Sequence, residues 1–197
     1  MESDRTKLRQ RLRARRQALN SEEQKQASEA LLDIIRSENI IENCQHVAVY
    51  LANDGEINPN LLVKWLWQQG VKCYLPVLDI QRKKQLLFAA YDSKTVMVSN
   101  RFRISEPVVG QSEVIDPQDL DLVFMPLTGF SADGQRLGMG GGFYDRTFAF
   151  TQASAKPQLI GLAHECQKVA DTYSSNWDVP MYGVVTDQQF YCSGSVF

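Results

Sequence analysis

Between residues 138 and 142 the chain reads Gly138-Met139-Gly140-Gly141-Gly142, with Arg136 just before it and Tyr144-Asp145-Arg146 just after. Four glycines in five positions let a backbone approach a ligand closely and turn several N–H donors toward phosphate oxygens. Arg136 adds a guanidinium, whose planar fork matches a phosphate, and Asp145 a hard oxygen suited to Mg²⁺ beside it. Neither standard nucleotide motif fits. There is no GxxxxGK[ST], and a GxGxxG begun at Gly138 would need glycine where Phe143 stands. The competing reading is a glycine-rich turn required only for tight packing.

Other residues could share a site with this loop. Glu56 and His164-Glu165 each follow an apolar run, the position where α/β sheets place their ligands. Residues 1–16 carry Arg5, Lys7, Arg9, Arg11, Arg13, Arg15 and Arg16 against Glu2 and Asp4, a local charge of +5 in a chain whose net charge is −2. Such a segment either attracts an anionic partner or is a helix whose arginines meet acidic side chains elsewhere. It lacks the interleaved aromatics of a single-strand platform and any recognisable DNA-docking motif. Cys44, Cys73, Cys166 and Cys192 are far apart and form no CxxC pair, as expected of reduced thiols in a cytoplasmic protein. His46 reads as a satisfied strand-edge histidine, and His164 stays open between that and a supporting role near the site.

These residues need elements to position them. Residues 4–19 are rich in helix formers, with Leu8, Leu12 and Leu19 near helical spacing. Ser21 with Gln24 reads as a capping box for a second helix to about Ser37. His46 to Leu51 reads as a buried strand, and Asn58-Pro59 as the start of a helix through Gln69, with Trp65 and Trp67 on it, at most one of them core. Further strands are expected at 71–76, 86–91, 121–127, 158–163 and 184–186, with Asp133-Gly134 a turn and a short helix from Phe143. Alternating strands and helices give an α/β fold: an open, largely parallel sheet flanked by helices, in a single domain spanning 1–197. With 197 residues, 44% of them hydrophobic, the chain can bury a real core, which excludes disordered, collagen-like and coiled-coil classes. No apolar run approaches the roughly 20 residues of a membrane span, and the basic start lacks the apolar stretch of a secretory signal.

The run from Asp133 to Arg146, centred on Arg136-Leu137-Gly138-Met139-Gly140-Gly141-Gly142-Phe143-Tyr144-Asp145, resembles the signature of the 5-formyltetrahydrofolate cyclo-ligases. The likeness extends along most of the chain. It takes in Leu8-Arg9, Arg16-Gln17-Ala18-Leu19, the strand Val49-Tyr50-Leu51 leading to Glu56, the pair Glu106-Pro107, and Gly161 to Gln167. The resemblance implies that ATP and 5-formyltetrahydrofolate give 5,10-methenyltetrahydrofolate, ADP and phosphate, with Mg²⁺. The formyl oxygen is phosphorylated, the N10 amine attacks the activated carbon, and phosphate leaves. This agrees with a sequence that offers a phosphate cradle and cations but no convincing nucleophile–base pair.

The resemblance also implies roles. ATP would be held by Arg5, Thr6, Lys7, Leu8 and Arg9 and by Arg136, Leu137, Gly138, Met139, Gly140, Gly141, Gly142, Phe143 and Tyr144. Arg9, Arg136 and Asp145 would serve catalysis, Asp145 as the Mg²⁺ ligand. Leu51, Glu56, Phe102, Met139 and Phe143 would bind folate, Glu56 through the pterin. The chain departs from the family in three respects. Arg5 stands where a lysine is expected, Met139 and Gly141 where some relatives are basic, and Pro180-Met181-Tyr182 where others carry a second metal carboxylate; either Asp178 or Asp187 substitutes there, or the metal has one protein ligand and otherwise water and phosphate, as is common for Mg²⁺. The expected partners are small molecules only, with neither nucleic acid nor membrane, and the protein is expected to be a monomer. Two rivals stand beside this reading. One is a phosphotransferase acting on another anionic acceptor; the other is a nucleic-acid-binding module using residues 1–16, which predicts salt-sensitive binding.

Overall fold

The N-terminal helix α1 runs Glu2–Gln17, and α2 follows at Ser21–Ser37. The cap between them is Asn20, one residue earlier than expected. Its side chain accepts from the Glu22 and Glu23 amides at 2.9 and 3.0 Å, and the Glu23 carboxylate accepts from the Asn20 amide at 2.7 Å. An amide at Asn20 makes the same reciprocal box as the expected Ser21–Gln24 pair, but shifted by one residue. The computed structural model describes residues 2–79, 81–82, 84–153, 156–174 and 178–193.

The strands and remaining helices are β1 His46–Ala48, α3 Asn60–Gln68, β2 Lys72–Leu78, β3 Leu86–Tyr91, β4 Met97–Ser99, β5 Ser105–Pro107 and β6 Val114–Ile115. After them come β7 Leu122–Pro126, β8 Gly129–Phe130, β9 Arg136–Leu137, α4 Phe143–Thr147, β10 Gln158–Leu162, β11 Gly183–Val185 and β12 Phe190–Cys192. Eight strands form one sheet in the order β12-β11-β10-β7-β1-β2-β3-β6. The five central strands, β11 to β2 in that order, run parallel; β12 and β3 run antiparallel to them, and β6 pairs antiparallel with β3. The expected open, largely parallel α/β sheet is therefore present.

Each central strand buries both faces, which is why its sequence is an apolar run rather than an alternation. Val47, Leu122, Phe124, Ile160 and Leu162 pack toward α2 and α3 with Leu31, Ile35, Leu62 and Leu66. Ala48, Val123, Met125 and Leu159 pack on the other side with Phe88, Phe130 and Phe148.

Several boundaries differ from expectation for local reasons. β1 stops at Ala48 rather than Leu51, although the Val49 amide still donates to Tyr74 O at 2.9 Å. β2 runs two residues past Pro76. Tyr74 and Pro76 point their backbone groups to the same side, where β1 has already ended, so the missing proline N–H forfeits no ladder bond. α3 starts at Asn60, with Pro59 at the cap and the Asn58 side chain accepting from the Asn60 amide. Trp65 and Trp67 are both half-buried, the latter donating to Tyr91 O at 3.1 Å. His46 is satisfied by the Tyr74 hydroxyl at 2.8 Å.

Candidate active site

β1 and β7 are parallel neighbours, yet the chain leaves them in opposite directions: β1 leads through α3 to β2, and β7 through α4 to β10. An α/β sheet opens a crevice at the carboxyl ends of such a pair. Residues 49–56 leave β1 there. From β7 the chain passes through the β8–β9 hairpin, which returns it so that the Thr128 amide donates to Leu137 O at 2.9 Å and the glycine loop begins at the same edge. The Asp133-Gly134 turn lies in that hairpin.

In the loop, Gly140 at φ +95° and Gly142 at φ +66° adopt backbone conformations that side chains resist. Gly142 caps α4 without a side chain to spend on its amides. Among the described residues, none of the amides of Gly138, Met139, Gly140, Gly141 or Gly142 donates a hydrogen bond to protein. The loop is a row of unspent donors.

Four arginines on one face of α1 cross this crevice. Arg5, Arg9, Arg13 and Arg16 fall at helical spacing and span about 16 Å of helix. Arg5 pairs with Asp178 at 3.2 Å and donates to Tyr173 O at 3.1 Å. Arg9 Nε donates to Gly138 O at 3.0 Å, and its guanidinium carbon lies 3.6 Å from where a side chain at Gly140 would begin. Arg13 grips the Asp54 carboxylate with both arms, at 2.6 and 3.0 Å. Arg16 is fully buried and donates to Asp54 O, to Asp54 Oδ2 and to Leu127 O, each at 2.8 Å. Of the expected residues on this helix, Thr6 and Lys7 are exposed off that face, and Leu8 is buried against Leu12 and Leu137. Arg5, Arg13 and Arg16 meet acidic side chains, the second of the two readings of the basic segment, whereas Arg9 donates to the Gly138 carbonyl on the glycine loop.

The bidentate Arg13 clamp, reinforced by Arg16, holds the Asp54 carboxyl down at about 2. Glu56, two residues on, goes the other way. Its side chain is 12% exposed, and burial raises its pKa to about 7, although Arg16 Nη2 at 3.7 Å from Oε1 and the Asn53 amide at 3.0 Å from Oε2 both favour the anion. Tyr50 and Tyr144 share this environment, and burial raises both phenols, with the Glu56 charge adding to the effect. A groove of about 610 Å³ between α2 and residues 52–61 has Glu56 in its wall, with Lys25, Ser28 and Asn60.

Asp145 sits in the first turn of α4, where Oδ1 accepts from the Arg136 guanidinium and from the Val179 amide at 3.2 Å. Arg136 also donates to Val179 O. Oδ2 accepts from none of the described residues. Among the described residues no three acidic, histidine or cysteine groups gather as a metal cage. A divalent ion here would have one carboxylate oxygen and would draw its other ligands from phosphate and water, as Mg²⁺ commonly does. Asp178 is engaged with Arg5, and its charge, like that of Asp145, reaches Arg136; Asp187 accepts from the Glu165 amide, and Tyr182 packs on Phe190.

Phe102 stands half-exposed on the turn joining β4 to β5, where the Asn100 side chain accepts from the Phe102 and Ile104 amides. Its ring meets Phe143 edge-on at 6.2 Å, and the Arg101 guanidinium lies 4.9 Å from its centre. Met139 is exposed nearby in sequence to Phe143, its sulfur taking the Thr128 hydroxyl at 3.3 Å, while Leu51 is half-buried against the α2–α3 side of the core. His164 is buried, and desolvation lowers its pKa. The fold thus gathers Arg9, the glycine loop, Arg136, Asp145, Glu56, Phe102 and Phe143 around one crevice. The sequence reading assigned no role to Arg13, Arg16 or Asp54. Their signal was the spacing of Arg5, Arg9, Arg13 and Arg16 along one helix face.

This architecture is that of a known class of α/β enzymes. The structure of Aquifex aeolicus 5,10-methenyltetrahydrofolate synthetase superposes with a TM-score of 0.82, covering 98% of this chain and 94% of that one, at 24% identity, a likeness of fold. The 5-formyltetrahydrofolate cyclo-ligase of Escherichia coli K12 is 38% identical over 180 residues, 91% of this chain and 98% of its own. That of Haemophilus influenzae is 38% identical over 183 residues, 92% of this chain and 96% of its own. The pattern defining the 5-formyltetrahydrofolate cyclo-ligase family matches residues 1–187, and the chain belongs to that family.

Proposed function

We propose that the chain, as one cyclo-ligase domain, uses ATP to convert 5-formyltetrahydrofolate to 5,10-methenyltetrahydrofolate with release of ADP and phosphate. The observation that carries this reading is the row of unspent amides at 138–142 lying under Arg9, in the same crevice as the buried Glu56 carboxylate. One end suits a phosphate tail and the other the paired N–H donors of an aminopyrimidine ring. The amides from Gly138 to Gly142, flanked by Arg136 and Leu137 and by Phe143 and Tyr144, hold the nucleotide phosphates, and Arg9 neutralises their charge. Glu56 fixes the pterin, and Leu51, Met139, Phe102 and Phe143 line the rest of the folate, the two rings offering edges and faces for stacking. Held in this way, the formyl oxygen attacks the terminal phosphorus and ADP departs. N10 then closes on the formyl carbon, the C–O bond to phosphate breaks, and the N10 proton leaves. Mg²⁺ on Asp145 supplies charge neutralisation at the phosphates when bound.

The four cysteines are all free thiols, in keeping with a cytoplasmic location, and no described helix is long and apolar enough to cross a membrane.

Pure protein mixed with ATP, Mg²⁺ and 5-formyltetrahydrofolate should develop the near-ultraviolet absorbance of the methenyl product in step with ADP. ADP release without that signal, together with turnover of another acceptor, would give the phosphotransferase reading instead. Gly140→Val would force a β-branched residue to φ +95° beside the Arg9 guanidinium, so the KM for ATP should rise at least about tenfold. An unchanged value would remove the loop from the phosphate site. Asp145→Asn should lower kcat about a hundredfold and raise the Mg²⁺ concentration giving half-maximal rate. Arg136 also loses its partner, so a lowered Tm is expected in either case, and a wild-type Mg²⁺ requirement would end the metal assignment.

A further inference from the structure

Arg16 is a fully buried cation at the floor of the crevice, and no step of the proposed reaction uses it. Its three donor groups reach both strand exits at once: Leu127 O where β7 ends, and Asp54 O and Oδ2 in the loop that follows β1. Gln167 donates to the same Leu127 O at 2.7 Å, so that carbonyl is fixed from two sides. The Arg16 Nη2 that holds Asp54 Oδ2 also lies 3.7 Å from Glu56 Oε1. A guanidinium joining β7 to this loop sets the distance of Glu56 from the glycine loop that continues from β7.

We propose that Arg16 is the positioning residue of the folate half of the site, locking the 52–56 loop to the end of β7 so that the Glu56 carboxyl group faces the crevice. This rests on the reading of Glu56 as the pterin carboxylate. The groups facing Glu56 are Arg16 from α1, Tyr144 from α4, Tyr50 after β1, and Asp54 with the Asn53 amide from its own loop. Arg16 is the cation within ion-pair range of Glu56, while Lys25 and Glu29 of α2 line the wider groove. Lysine at this position keeps the charge but cannot span three acceptors with a planar fork, whereas glutamine removes the charge.

Arg16→Lys should raise the KM for 5-formyltetrahydrofolate about tenfold, the scale of one misaligned charge-assisted hydrogen bond, and leave the KM for ATP within about twofold. In Arg16→Gln the acid limb of kcat/KM for folate should move to higher pH, because Glu56 loses its neighbouring positive charge. If the glutamine variant fails to fold, the lysine variant and a double variant decide the matter. Arg16→Lys placed on Glu56→Gln should add less than about twofold to the folate KM of Glu56→Gln alone. A normal folate KM in Arg16→Lys beside a defective Glu56→Gln overturns the inference alone. So does an equal rise in both substrates' KM, or a full tenfold penalty in the double variant, since those mark a merely structural staple. A wild-type folate KM in Glu56→Gln removes the reading of Glu56, and the inference with it.

Discussion

Glu56→Gln should raise the KM for 5-formyltetrahydrofolate about a hundredfold while making the protein more resistant to heat above neutral pH. The carboxylate can accept two parallel N–H donors of the pterin, whereas the amide offers one acceptor and turns a donor against a donor. Such a mismatch in a buried position costs about 2–3 kcal/mol, which is the predicted change in affinity. The stability gain has a separate origin. Burial raises Glu56 from 4.5 to about 7, so the fold favours its protonated form. The resulting stabilisation is complete below the ordinary carboxyl pKa, is lost as pH climbs through about 7, and above that the chain carries a desolvated charge costing up to about 3 kcal/mol. Arg16 loses a neighbouring anion in the variant, which reduces the gain. The advantage of glutamine in thermal melts should therefore grow as pH rises from about 5 to about 8. The acid limb of wild-type kcat/KM for folate should lie near pH 7 and be absent in the variant. A flat pH dependence in the wild type would mean that Glu56 does not control folate binding.

Asp54→Ala should be the most destabilising single change at the crevice, by about 3 kcal/mol, or a fall in Tm of roughly 6–12 °C for a chain of this size. Asp54 receives both arms of Arg13, one arm of Arg16 and the Gln17 amide, so its removal leaves Arg16 a buried cation with only backbone carbonyls and a more distant Glu56. The Arg13 clamp and Arg16 hold the Asp54 carboxyl at about 2, below its ordinary 3.8. Its stabilisation is present above the ordinary value and lost as pH falls through about 2, so wild type and variant should converge in acid. Equal melting temperatures at neutral pH would show that Arg16 is held well enough by Leu127 O and its other contacts. In that event the knot at the base of α1 has little weight.

Some of this was plain in the residues. The strands of the parallel centre were readable because each is buried on both faces and so appears as an uninterrupted apolar run, as from Leu122 to Pro126. The glycine loop and Asp145 were readable because their chemistry is local. The short strands were not: β8 and β9 have two residues each, too few to carry a period, and β4 and β5 form a ribbon whose Val98 is exposed. The register of the α2 cap slipped by one because asparagine and serine both satisfy the same geometry at adjacent positions. The partners of the arginines were hidden for a deeper reason. That Arg16 meets Asp54 and Leu127, 38 and 111 residues away, follows from how the sheet brings β1 and β7 together. Nothing in the charge pattern alone distinguishes that knot from a nucleic-acid-binding arm.

Arg5 meets Tyr173 and Asp178 across 168 and 173 residues of chain. α1 brings little apolar surface of its own, chiefly Leu8 and Leu12, so it is held largely by these polar contacts together with those of Arg9, Arg13 and Arg16 to Gly138, Asp54 and Leu127. Seating the helix that carries Arg9 thus draws together partners spread from residue 54 to residue 178. The same helix lays a cation over the glycine loop and anchors the Glu56 loop, so the two halves of the site are secured by one element.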